Sequence, residues 1–245
     1  MTGVQTCALP ICDTPLPEGS IVFATSNNAS DGVGDSMLAH AGNRVCILKM
    51  QKPDSDTWLK WASDNSINAL IRAWVYMFPR SLASYLDSGQ EDNPYIFQPS
   101  KTNLSFCSPR SLAKASVIVD NQSILGDNAT MCALAGTIGA SAAADMSAFL
   151  RLDKQLPKFE DILDKPMDIS IPEDVAGQLM LMFQATDKIK TQDEMSSFMK
   201  FVKRIDSSEI QAIFFTIVVR SEKTRKIARS NAEIAQWATT NHEMF

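Results

Sequence analysis

From Pro53 to its C-terminus the chain carries helix starts and stops and no convincing strand, which commits most of it to an α fold. Asp54 to Asn65 sets Trp58, Leu59, Trp61 and Ala62 on one face. Asn68 to Phe78 does the same with Leu70, Ile71, Trp74, Val75 and Phe78, and Pro79 stops it. Ser108 and Pro109 open another helix as N-cap and first helical residue. Asp127 to Ile138 and Ser141 to Leu156 continue the bundle. Beyond them Pro157, Pro166 and Pro172 interrupt a region with a short helix at Phe159 to Asp164. Four more helices are expected, starting with Pro172 as first helical residue, with a capping box at Thr191 to Glu194, at Ser207 or Ser208, and with a second capping box at Ser230 to Glu233. The run Ile210 to Val219 (IQAIFFTIVV) falls far short of the ~20 residues of a membrane span and reads as a buried helix. Met180, Met182, Met195 and Met199 at helical spacing read as core filler rather than as a Met-rich binding groove.

Strand signals are confined to the N-terminal part. Ser20 to Thr25 (SIVFAT) is a short β-branched apolar run between turn residues, as a buried strand would be, and Arg44 to Met50 (RVCILKM) reads as a second. Between them DGVGDSMLAHAGN combines a glycine-bearing loop with room for one or two helical turns. Asp31 and Asp35 lack the acidic ladder of a calcium loop, and no GK[ST] follows the GVG to make a phosphate loop. The opening MTGVQTCALPI has neither the basic flank and apolar core of a signal peptide nor the arginines of a transit peptide. Reverse-translated with GTG as start codon, it spells a common short-read sequencing adapter. Residues 1–12 are therefore expected to be a non-biological tail on a gene truncated at its 5′ end.

Composition narrows the function classes. A net charge of −5 and a pI near 5.1 oppose a chain whose main task is gripping nucleic acid. The cysteines at 7, 12, 46, 107 and 132 form no CxxC pair and suit neither a disulfide framework nor a zinc site, so buried reduced thiols in a cytoplasmic protein are expected. His40 and His242 are too far apart in sequence to imply a metal site. The polar, Pro-containing stretch Asp87 to Cys107 is long for a mere connection and is a candidate functional loop.

Arg110 is the most informative single residue. A cation in the first turn of a helix opposes the positive end of the macrodipole, at a cost of roughly 0.3–1 kcal/mol. Either its side chain reaches water or a nearby carboxylate, or the arginine and the helix N-terminus together meet a phosphate. The residues alone leave both open.

Three short motifs in order carry a resemblance. LPEGSIVFATSN, then AHAGNRV, then SPRSL resemble the second half of an AAA+ ATPase of the MoxR-like group, over about Leu16 to Leu156. The resemblance implies that Asn27 is the sensor 1 residue orienting the attacking water, that Arg44 is an arginine finger acting in trans on a neighbour's ATP, and that Arg110 is the sensor 2 arginine on the ATP phosphates. It implies a mainly α chain in which residues 13–52 are a two-strand remnant of an α/β nucleotide-binding core, 53–156 a helical lid and 157–245 a helical C-terminal extension. It further implies ATP and Mg2+ as ligands of the full-length protein, a homo-oligomeric (hexameric) ring that remodels a protein client, and a possible von Willebrand A-type partner, with no nucleic acid and no membrane. The family's GxxxxGK[ST] and its magnesium-binding Asp-Glu strand are missing, so the chain itself is expected to be inactive. The alternative from another class is a non-catalytic helical interaction or scaffold protein, in which Asn27, Arg44 and Arg110 are incidental.

Overall fold

The computed structural model describes residues 17, 19–21, 23–25 and 44–244 of a chain that divides into two compact units, Met1–Lys49 and Met50–Phe245. Among the described residues there are eleven α-helices and no strand. No strand forms among the described residues of either expected run. Residues 20–21, 23–25 and 46–50 have no regular secondary structure, Ile21 and Phe23 are 88% and 85% exposed, and Val45, Ile47, Leu48 and Met50 are exposed as well. The physical reason is that a β-prone run becomes a strand only when neighbours satisfy its backbone N–H and C=O groups and cover its faces. No described residue does that here.

The second unit opens with α1 (Ser55–Asp64), whose N-cap Asp54 accepts from Thr57 N at 2.8 Å. That bond holds the Asp54 carboxyl below its ordinary value. In α2 (Ala69–Met77) the Asn68 side chain accepts from Leu70 N, and a 3-10 turn, Pro79–Leu82, follows where proline ends the helix. α3 (Pro109–Asp120) starts as expected at Ser108 and Pro109. α4 (Gln122–Ile138) breaks at Gly126 (φ 75°), so its regular part begins at the expected Asp127. Gly139 (φ 90°) separates it from α5 (Ala140–Asp153); a Cβ there would lie 2.9 Å from the Ser105 carbonyl oxygen, so both backbone and space require glycine.

After the short α6 (Phe159–Asp164), α7 (Val175–Lys188) begins later than expected. Its N-cap is Asp174, whose carboxylate accepts from Gly177 N at 2.7 Å, and Pro172 lies outside the helix with its carbonyl taken by Gln178 Nε2. A side-chain acceptor for the orphan amides outweighs proline's preset φ. α8 (Gln192–Val202) starts at the expected Thr191/Glu194 box, and α9 (Ser208–Arg220) at Ser207. The short α10 (Arg225–Arg229) gave no sequence signal, and it displaces the last expected start. Ser230 terminates α10 and its hydroxyl donates to Lys226 O, so α11 (Ala232–Thr240) is capped instead by Asn231, which accepts from Glu233 N and Ile234 N.

Two hydrophobic clusters result. One, mostly from α1 to α5, holds Trp58, Ile71, Trp74, Leu112, Leu134 and Met146 fully buried. The other, mostly from α6 to α11, holds Ile162, Phe198, Phe201, Phe214 and three of the four methionines, Met182, Met195 and Met199, which are core as their spacing indicated. Met180 and Phe183 belong to the first cluster although they sit on α7, which gives Leu179, Leu181, Met182 and Ala185 to the second. α9, the IQAIFFTIVV helix, buries Ile210, Ile213, Phe214 and Val218. No described helix is long and apolar enough to cross a membrane.

The displaced cap carries a measurable consequence. Asn231→Ala should destabilise the protein by about 2 kcal/mol, the upper end for an N-cap, because Asn231 is buried and its amide also donates to Gln192 Oε1 and Ser196 Oγ. Ser230→Ala, in contrast, should cost no more than a few tenths of a kcal/mol. Urea denaturation of the two variants checks this, and equal losses would restore Ser230 as the cap.

Candidate functional site

The candidate site is built around the start of α3. A capping box closes the helix end: Ser111 N donates to Ser108 Oγ at 3.1 Å and Ser108 N donates to Ser111 Oγ at 2.8 Å, while the Ser111 hydroxyl reaches Phe106 O at 2.8 Å. This fixes the backbone at Arg110, the second residue of the helix, whose first turn contains no acidic residue. Arg110 is exposed, and among the described residues it has no hydrogen bond or ion pair. The carboxylate partner that could have compensated it against the helix dipole is therefore not supplied by the described residues.

Arg110 lies on a groove of about 700 Å³ between α1 and α3, formed by Pro53, Trp58 and Trp61 on one side and Pro109, Ala113 and Val117 on the other. Lys114, one helical turn beyond Arg110, adds a second cation. The floor is almost wholly apolar. Trp61 is 46% exposed, and the buried Trp58 keeps an indole N–H that has no acceptor among the described residues. Such a surface suits a ligand with a flat or apolar body and an anionic end. Sequence reasoning found Arg110 and missed its surroundings, because the approach of Trp61 and Lys114 depends on how α1 crosses α3. The only sequence signal was the Trp58/Trp61 pair at helical spacing.

The other expected site residues do not join this groove. Arg44 is exposed in a turn of the first unit, with no hydrogen bond or ion pair among the described residues. Asn27, with His40 and the acidic loop at Asp31 and Asp35, lies outside the described residues. His242 is exposed near Thr239 O. Among the described residues no group of His, Cys, Asp and Glu is placed to hold a metal ion.

The segment 87–107 is pinned by the buried Asn93, Tyr95, Ile96, Gln98 and Cys107, while residues 99–104 are exposed. Buried Asn93 donates to Arg80 O and Gln90 Oε1 and accepts from Tyr95 N; Tyr95 donates its hydroxyl to Asp145 at 2.7 Å, and Cys107 N donates to Tyr95 O. Burial, with Asp145 beside it, pushes the Tyr95 phenol up to about 12, and burial does the same to the Cys107 thiol, so neither is primed to react at neutral pH. The buried part of this loop braces α2, α4 and α5. The cysteine expectation is also corrected: Cys107 is buried, but Cys46 and Cys132 are exposed, one in an irregular stretch and the other on the outer face of α4.

Compared with protein-family models, curated proteins and solved structures, the chain matches none of them.

Proposed function

We propose that the chain is the C-terminal portion of an AAA+ ATPase of the MoxR-like group, which in its complete form binds and hydrolyses ATP in a homo-oligomeric ring to remodel a protein client. The observation that carries this reading is Arg110. It is an unpaired cation fixed by a capping box at a helix N-terminus, on a groove with exposed aromatic surface, as a lid arginine that meets nucleotide phosphate requires. The order Asn27, Arg44, Arg110 supports it, as does an Arg44 left exposed and uncommitted. On this reading the exposed residues 20–21, 23–25 and 45–50 would become strands in the sheet of the complete protein, and residues 13–52 are the remnant of the nucleotide-binding core.

Phosphoryl transfer asks for position and charge rather than covalent help. Asn27 would hold the attacking water in line, Arg44 would neutralise charge developing on a neighbouring subunit's γ-phosphate, and Arg110 would tie the helical region to nucleotide occupancy. The described residues do not fit magnesium, which on this reading is held by an Asp-Glu strand belonging to an upstream segment. Residues 53–156 then serve as the lid and 157–245 as an extension, and a von Willebrand A-type protein is a candidate partner.

This chain alone should show no measurable ATP binding by isothermal titration in the presence of magnesium, because an arginine and a groove do not replace a phosphate loop's backbone amides and lysine. Stoichiometric micromolar binding would overturn the truncation. The lack of any strand among the described residues favours a second reading, a non-catalytic helical interaction protein. The upstream reading frame separates them: a GxxxxGK[ST] motif roughly 60–130 codons before Asp13 supports the ATPase, and a stop codon near Asp13 supports the scaffold.

A further inference from the structure

A second cavity, about 310 Å³, lies where α1 and α2 meet α7 and α9. Its size is at the small end of ordinary ligand pockets, which run from roughly 300 to 1,000 Å³. Leu59, Phe183 and Ile217 give it an apolar wall, and Tyr76 and Thr216 bring hydroxyls to it, while the Thr57 hydroxyl is engaged with the Asp54 carboxylate. Ser63 and Ser221 add a hydroxyl pair in which Ser63 Oγ donates to Ser221 Oγ at 3.2 Å.

The charge at this cavity is lopsided. Arg72, 1% exposed, lines it, bonds to Asp187, Thr186 and the Phe183 carbonyl, and stacks over the Phe183 ring. Its Nε has no acceptor. Asp187 is shared with Lys223 at 2.9 Å, so the Arg72–Asp187–Lys223 group keeps one net positive charge. Lys60 and Arg220 line the same cavity, exposed and without an ion pair among the described residues. Asp56 is the opposing carboxylate among the lining residues, and Glu209 acts on Tyr76 from nearby. Counting the Arg72–Asp187–Lys223 group as one, three net positive charges therefore face Asp56 among the lining residues and Glu209 near Tyr76.

We propose that this cavity binds a small organic carboxylate with a compact apolar body, the carboxylate held by Lys60 and Arg220 over the positive floor of Arg72 and the body packed on Leu59, Phe183 and Ile217. Apolar walls exclude a fully hydrated inorganic anion, and the cationic edge rejects amines. The hydroxyls give the ligand's oxygens neutral donors between the charges. The site shares Thr57 with the Arg110 groove but takes its cations from other residues, and it owes nothing to the nucleotide reading.

The test titrates the full chain with 3-phenylpropionate and with 3-phenylpropanamide, the same body without the charge, by isothermal calorimetry or ligand-observed NMR. The acid should bind, and the amide should bind at least tenfold more weakly. The double variant Lys60→Ala/Arg220→Ala alters two exposed side chains and should keep the parent melting profile, yet lose tenfold or more in affinity for the acid with no change for the amide. No binding of the acid up to about 10 mM, which corresponds to less than ~3 kcal/mol, overturns the proposal. So does equal affinity for acid and amide, or unchanged affinity in the double variant.

Discussion

On the proposed ATPase reading, Arg44→Ala in the complete protein should leave ATP affinity nearly unchanged and slow hydrolysis by about 10³ to 10⁵. The asymmetry follows from when the charge is needed. In the ground state a neighbour's γ-phosphate is already neutralised from its own subunit, whereas the transition state spreads further charge that a trans arginine meets. Arg44 is exposed and tied to no described partner, so the substitution breaks no contact seen in the structure. Mixing sharpens the result. If Arg44 is a trans finger, an Arg44→Ala subunit and a subunit lacking the phosphate-loop lysine should each be inactive alone, but a mixed ring would contain interfaces that pair a sound pocket with a sound finger. ATPase activity should partly return and vary with the ratio of the two. A mixed ring as inactive as its parents shows that Arg44 does not act in trans.

Phe198→Ala should remove ~3–5 kcal/mol of stability, the range for deleting a buried aromatic ring. Phe198 is fully buried at the centre of the second cluster, with ring centroids 5.8 Å from Phe159, 5.7 Å from Phe201 and 5.2 Å from Phe214. Each neighbour loses dispersion contacts, and the surrounding helices are braced by too many other contacts to collapse into the gap. Against a total stability of about 5–15 kcal/mol, the loss moves the urea midpoint well below that of the parent. Leu104→Ala is the matched control: Leu104 is 98% exposed, and its loss should stay within about 0.5 kcal/mol. A similar small change for both variants would contradict the burial described for α8.

Helices were legible wherever the signal was local. Caps such as Asp54, Asn68, Ser108, Thr191 and Ser207 act within one turn, and a sequence shows one turn completely. The errors came where two local signals compete or where the deciding partner is distant. Pro172 and Asp174 both advertise a start, and the side chain with an acceptor prevails. Ser230 would have capped α11 had it not been engaged at the end of α10, a helix of five polar-leaning residues with no periodicity to announce it. SIVFAT and RVCILKM have the composition of strands, but a strand is a property of a pair. At the candidate site Arg110 was readable as a charge in the wrong place. The groove that gives it meaning was not, since Trp61 and Val117 are brought together only by packing. Arg72 was equally hidden: an arginine on a helix reads as surface until Asp187, over a hundred residues later, accounts for its burial.

The helix from Val175 to Lys188 carries a consequence for how the second unit comes apart. Because Phe183 and Met180 face one cluster while Leu179 and Met182 face the other, melting either cluster strips a wall from its neighbour. The two therefore share one fate as a single cooperative block, and slow amide exchange should be distributed accordingly, with Trp74 and Phe198 opening together although they belong to different clusters.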